Sequence, residues 1–255
     1  MMTTQTENEV RTAIVTGAST GIGYAISQRF LNDGINVVMN ARTETDLVAA
    51  YQKLGSPSNA HYVVGDVSNK ETGSELVDKA NQEFGGIDIL VNNAGVFNPK
   101  PFLDTEEADL DRFFSINFKG AYFTAQAAVP AMKKRGGGSI VNIGTTLVEH
   151  AIAGFPASGA VASKAALHSL TEQLAAELGL DNICVATIAT GIIDTPLHAK
   201  QGIDEANNLA GLHLLNRIGT SENLADAVAM LVNNDFITGA TLRVDGGHAA
   251  GHSFG

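Results

Sequence analysis

A chain of 255 residues, 44% of them hydrophobic, is long enough to bury a large core and short enough to form one domain. Twenty-seven acidic against sixteen basic residues leave a net charge of −11, which argues against a nucleic-acid or anionic-membrane partner, since either calls for a basic face. The single cysteine, Cys184, excludes an intrachain disulfide and a cysteine-rich metal cluster, and its flanks "NICVATIA" read as a buried strand.

The opening "MMTTQTENEV" is polar, and no apolar run downstream approaches a membrane span. A protein of a soluble, reducing compartment, the cytoplasm, is expected, with residues 1–9 and the tail after Gly247 less ordered. "RTAIVTG" then reads as a strand ending in glycine, and "GYAISQRFLNDG" as a helix closed by Gly34. "INVVMNA" is a second strand, followed by a helix that opens on Thr43 or Thr45. "AHYVVGD", "GIDILVNNAG", "GSIVNIGTT" and "NICVATIATG" supply further strands, with helices between them at about 69–84, 105–134 and 157–179. Pro130 is expected to kink the last turn of the middle helix. A helix near 221–233 precedes the strand "ATLRVDGG". Strands and helices alternating in this way predict an α/β fold, a doubly wound parallel sheet in a single domain spanning 1–255.

"TGASTGIG", residues 16–23, lies between the first strand and the first helix and includes Ser19, Thr20 and Ile22. Gly17 allows a tight turn, Gly21 lets backbone approach a pyrophosphate, and Gly23 lets helix and strand pack closely. The helix start presents free N–H groups and a positive dipole end to an anion. The second strand ends "VVMNAR", with alanine at 41 and arginine at 42. An acid at such a strand tip would bind a ribose 2′-hydroxyl. Arg42 instead favours a 2′-phosphate, hence NADP(H) over NAD(H), although it also reads as a solvated charge at a helix start.

The spacing of these glycines, together with the pieces that follow, resembles the short-chain dehydrogenase/reductase family from Thr12 to Gly247. The pieces stand in family order: "TGASTGIG", "GDV" at 65–67, "NNAG" at 92–95, Asn117 in "SINFKG", "SIVNI" at 139–143, Lys164, "TGIIDTP" at 190–196 and "VDGG" at 244–247. The resemblance implies a Rossmann-type nicotinamide dinucleotide site, with Asp66 and Val67 near the adenine. It implies that Asn92, Asn93, Ala94 and Gly95 stabilise the central strand and line the cofactor. Gly191, Ile192 and Thr195 would lie against the nicotinamide amide. It also implies helix-to-helix dimers. Apolar residues on several faces of the helices around Asn117 and Lys164 agree with it, and a homotetramer is expected.

Family members carry a tyrosine four residues before the lysine, and here position 160 is alanine in "FPASGAVASKAAL". In the family the tyrosine moves the proton at the substrate oxygen, and the lysine lowers its pKa and holds the nicotinamide ribose. A serine steadies the carbonyl, and an asparagine holds a water. Lys164 and Asn117 match in type and context. Thr145 stands for the serine, with Thr146 as backup. Ala160 donates no proton, and general acid catalysis contributes about 10²–10⁴-fold. Glu149 and His150, in "LVEH", offer the nearest replacement. A histidine's ordinary pKa of about 6.5 suits a donor near neutrality, although a surface-loop histidine is the plainer reading. Tyr122 and Tyr24 are weaker candidates. Thr190, where the family has proline, is expected to loosen its loop, and the small residues at 156–162 to open space where a phenol would stand.

Three possibilities remain open. The protein is an oxidoreductase acting on a small carbonyl or alcohol, with a water, His150 or the substrate itself supplying the proton. It is a cofactor-binding protein without turnover, such as a sensor or the inactive partner in an assembly. Or it is an active enzyme altered at position 160. No metal is expected.

Overall fold

The computed structural model describes residues 10–196 and 206–251. Seven parallel strands lie in the order β3-β2-β1-β4-β5-β6-β7. They are β1 (Thr12–Val15), β2 (Asn36–Ala41), β3 (Ala60–Val64), β4 (Ile89–Asn92), β5 (Gly138–Thr145), β6 (Ile183–Thr190) and β7 (Ala240–Val244). The central strands are mostly apolar, as burial on both faces of a parallel sheet requires, with Asn92 and Asn142 as buried polar exceptions. In β1, paired through Ala13 with Val37 and Ile89, alternate residues enter different cores. Ala13 and Val15 pack with Phe30, Leu47 and Val228 on one face, and Ile14 packs with Leu76, Met132 and Leu178 on the other. Burying one such large side chain contributes about 1.5–3 kcal/mol.

Helices α1 (Gly21–Asn32), α2 (Glu44–Lys53) and α7 (Ser221–Val232) cover the first face, and α3 (Lys70–Phe84), α5 (Gly120–Arg135) and α6 (Ser158–Leu178) the second. Strand order reverses between β1 and β4, so the loops at their carboxyl ends splay apart and leave a crevice. Among the described residues no helix is long and apolar enough to cross a membrane.

The predicted elements stand with a few corrections. The expected long helix at 105–134 is divided into α4 (Glu107–Phe113), a π-helical turn (Phe114–Lys119) and α5, which runs on past Pro130 to Arg135. The π turn inserts an extra residue into the helix just where Asn117 faces inward, a placement regular helical spacing does not provide. Thr190 does not loosen its loop. It is the last residue of β6, in register with Thr145 and Val244, and the next amide, Gly191 N, donates to Val244 O at 3.1 Å. The chain after Gly247 forms a 3-10 turn (His248–Ala250), with His248 buried, because the Asp245 carboxylate accepts from Gly247 N and Ala249 N. Residues 1–9 and 252–255 lie outside the described residues, as does 197–205, part of the segment between β6 and α7. Cys184 is half-buried rather than a core residue, and burial raises its thiol pKa while Sγ–H points to Asp235 O at 3.4 Å.

Candidate active site

The site grows from the loop between β1 and α1. Gly17 (φ 64°) and Gly21 (φ 55°) adopt the left-handed conformation that other residues avoid. Gly23 is required by proximity, because a Cβ there would lie 2.4 Å from Gly17 O. Helix α1 has no acidic residue in its first turn and no side-chain hydrogen bond from its N-cap, Thr20. Its first N–H groups and dipole are thus available to an anion.

Other strand tips close on this loop. A Cβ on Gly17 would meet Ala94 Cα at 2.9 Å, and one on Gly21 would meet Thr195 Cγ2 at 3.2 Å. The expected cofactor residues Gly17, Gly21, Ala94 and Thr195 therefore share one crevice. Asn93 is spent on the loop itself: its Nδ2 donates to Thr16 O at 2.9 Å and Gly17 O at 3.1 Å. The Thr16 hydroxyl accepts from Asn93 N and Ala94 N, each at 3.0 Å. Asn92 reaches Asn142, its register partner on β5, with Nδ2 to Oδ1 at 2.9 Å. The asparagines at the crevice floor thus work as positioning residues.

At the β2 end, Ala18 N donates to Asn40 O at 2.8 Å and Gly65 N to Ala41 O at 3.0 Å, so the tips of β1, β2 and β3 are tied together. Arg42 is exposed at the β2 tip with no ion-pair partner among the described residues. Asp66 Oδ1 accepts from Ser68 N at 2.9 Å and Ser68 Oγ at 2.7 Å, which shapes the turn. The Val67 side chain is buried, and a Cβ on Gly120 would touch it at 2.8 Å.

The polar centre lies where the π turn, α6 and the β4 loop meet. Asn117, 1% exposed, clamps the Val96 peptide from both sides. Its Oδ1 accepts from Val96 N at 2.8 Å, and its Nδ2 donates to Val96 O at 2.9 Å and to Ser163 Oγ at 2.8 Å. Ser163 Oγ in turn donates to Ala160 O at 2.7 Å. Lys164 Nζ donates to Ile143 O at 2.6 Å, and burial pushes its pKa down to about 8. A Cβ on Gly95 would meet Lys164 Nζ at 3.0 Å and Asn117 Oδ1 at 3.1 Å, so this glycine lets both groups pack against the β4 loop. Asn117 and Lys164 are thus brought together against Gly95.

Ala160 sits in the first turn of α6, one helical turn before Lys164. Its methyl does not open the expected space. Ala160 is 1% exposed, because this turn packs on α4, where a Cβ on Gly159 would meet Leu110 Cδ2 at 2.9 Å.

Along the β5 tip the two threonines separate. Thr146 is buried and donates to Asp245 Oδ2 at 2.9 Å, whereas Thr145, half-buried, accepts from Leu147 N at 3.3 Å. Burial raises the Asp245 pKa, but the Ala249 and Gly247 amides and the Thr146 hydroxyl outweigh it and hold that carboxyl low. Glu149 accepts from Arg243 Nε on β7 at 2.7 Å, and the His150 ring meets His248 edge-on with centroids 5.5 Å apart. The expected replacement donors therefore engage β7 and the chain end. Tyr122 meets Phe118 at a tilt and Phe123 edge-on at the outside of α5, and Tyr24 lies under Lys53.

Thr16, Asn142, Ser163 and His213 were passed over in the sequence. Asn142 carried a signal, a polar residue inside the apolar run "SIVNIG", and so did Ser163 in "ASK". His213 carried none, as it reaches the site across 21 residues of chain.

The described residues suit a dinucleotide. A glycine-lined helix start offers N–H groups to an anion, and Lys164 Nζ stands against Gly95 at the tip of β4. The fold and crevice define a dinucleotide-binding protein of the doubly wound class. The family model described as Enoyl-(Acyl carrier protein) reductase matches residues 17–249. The chain is similar to "Short-chain dehydrogenase/reductase SDRA" of Arabidopsis thaliana, 37% identical over 94% of each chain. It is similar to the crystal structure of a short-chain type dehydrogenase/reductase from Mycobacterium marinum (TM-score 0.87, 31% identity, 93% and 95% coverage). It is also similar to a blue fluorescent protein from a metagenomic library, in complex with NADPH (TM-score 0.86, 32% identity, 95% and 100% coverage). The chain belongs to the short-chain dehydrogenase/reductase family and is an NAD(P)-dependent short-chain oxidoreductase.

Proposed function

We propose that this protein is an NADP(H)-dependent oxidoreductase of a small carbonyl or alcohol, working without a phenol at residue 160. The observation that carries the reading is the Asn117–Ser163 pair beside a buried Lys164, with Asn117 Oδ1 and Lys164 Nζ both against Gly95. When bound, the nicotinamide supplies or accepts the hydride. Lys164 holds the ribose hydroxyls, a role that needs an ammonium and no phenol. Thr145 steadies the substrate oxygen, since Thr146 is already committed to Asp245. The proton comes from a water, from His150 or from the substrate itself.

The preference for NADP(H) rests on Arg42, an exposed cation at the β2 tip where an acid would select the unphosphorylated ribose. Replacing it with alanine is expected to erase most of the difference between NADPH and NADH affinity. The reading includes a cytoplasmic homotetramer, consistent with Tyr122 standing 38% exposed on α5, and light scattering at micromolar concentration measures it.

A second reading, a cofactor binder without turnover, is supported by the burial of the Ala160 methyl, 1% exposed, which leaves no water-sized space beside it. NADPH oxidation with a panel of ketones, for the protein as it stands and for Ala160→Tyr, separates the readings. Turnover as it stands supports the proposal. Turnover only after the substitution marks an enzyme altered at 160, and none in either favours the silent binder.

A further inference from the structure

The loop after β6 is tied down chiefly by main chain. Gly191 N donates to Val244 O at 3.1 Å, Asp194 N to Gly219 O at 2.9 Å, and the Ile192 carbonyl accepts from Gly219 N at 2.9 Å. The Ile192 amide is different, because it donates to His213 Nε2 at 3.1 Å. His213 is 3% exposed, wedged between this loop and the turn after β7. A Cβ on Gly191 would lie 2.9 Å from Nε2, and one on Gly246 would lie 3.3 Å from the His213 Cβ. Both glycines thus make room for the ring.

That hydrogen bond sets the tautomer. A nitrogen that accepts from an amide carries no proton, so the neutral ring keeps its proton on Nδ1. Nδ1 is buried without a hydrogen-bond partner among the described residues. A protonated ring would turn a second donor on the Ile192 amide. Beside it stand His248, perpendicular at 5.3 Å between centroids, and Asp245, which also lies against Gly191. The Asp245 carboxylate is occupied by Thr146 Oγ1 and by the Gly247 and Ala249 amides.

We infer that His213 is a positioning residue for the nicotinamide-side loop, its neutral imidazole holding the Ile192 amide and with it Gly191–Thr195 in the binding arrangement. This rests on the reading of that loop as part of the cofactor site.

The test compares His213→Leu, which removes the acceptor, with His213→Gln, which keeps one at similar reach. Amide hydrogen exchange at Ile192 in the cofactor-free protein is expected to quicken about tenfold or more in the leucine variant and to stay within about threefold in the glutamine variant. NADPH affinity, followed by the fluorescence of NADPH itself, is expected to fall about tenfold in the leucine variant and to be restored in the glutamine variant. Unchanged exchange at Ile192 in the leucine variant, or no rescue by glutamine, would overturn the inference. Exchange as expected with no binding of NADPH or NADH by the unmodified protein would overturn the cofactor reading of the loop, and the positioning role with it. If His213→Leu does not fold, the glutamine variant decides: exchange at Ile192 and NADPH affinity both within about threefold of the unmodified protein support the inference, and a loss of either beyond about tenfold overturns it.

Discussion

Lys164 Nζ donates a 2.6 Å hydrogen bond to the carbonyl of Ile143, so an ammonium on α6 is anchored to the strand β5 beneath it. The bond positions the charge, and burial opposes it by lowering the pKa to about 8.

A lysine whose folded pKa is depressed lowers stability wherever the unfolded chain binds more protons. The full cost is present below about pH 8 and is relieved as pH rises toward the unfolded value of about 10.4. That cost is on the order of 3 kcal/mol, against about 1 kcal/mol for the bond to Ile143. Lys164→Met is therefore expected to raise the melting temperature of the cofactor-free protein by roughly 5 °C at pH 7. The gain should shrink by about pH 9.5 as the wild-type lysine neutralises. Thermal melts at the two pH values check the sign.

Asn117→Ala should have the opposite effect on stability. It removes both bonds to the Val96 peptide and the bond to Ser163, leaving buried polar groups unpaired. A loss of about 2–4 kcal/mol is expected, read in a denaturant titration as a lower midpoint at unchanged slope.

Gly23→Ala places a methyl 2.4 Å from Gly17 O and 2.5 Å from Asn93 Nδ2, so the glycine loop has to move. NADPH binding is expected to weaken more than about tenfold, because such overpacking costs about 1–3 kcal/mol at the place where the diphosphate is held. Titration of the folded variant with NADPH measures it.

His150→Ala tests the proton donor. If the imidazole delivers the proton, turnover falls about 10²-fold or more while NADPH affinity is unchanged. Retention of full turnover assigns the proton to water or to the substrate.

Short-range signals determined a good deal here. Apolar runs separated by amphipathic ones specified seven parallel strands, and a glycine trio between strand and helix specified an anion-binding turn. Those features are read from local geometry alone. Lys164 and Asn117 were legible because they stand at family positions, and Ala160 because it breaks one. Tertiary structure decided what each neighbour does. The π turn that aims Asn117 depends on the Val96 peptide arriving from another loop. The choice between Thr145 and Thr146 depends on Asp245, 99 residues beyond Thr146. Asn93 went to the glycine loop because Gly17 O lay within its reach, and His213 met Ile192 because two glycines left room for its ring. Each of these is a hydrogen bond between buried groups distant in the chain, and no local pattern in the sequence encodes which partner will be near.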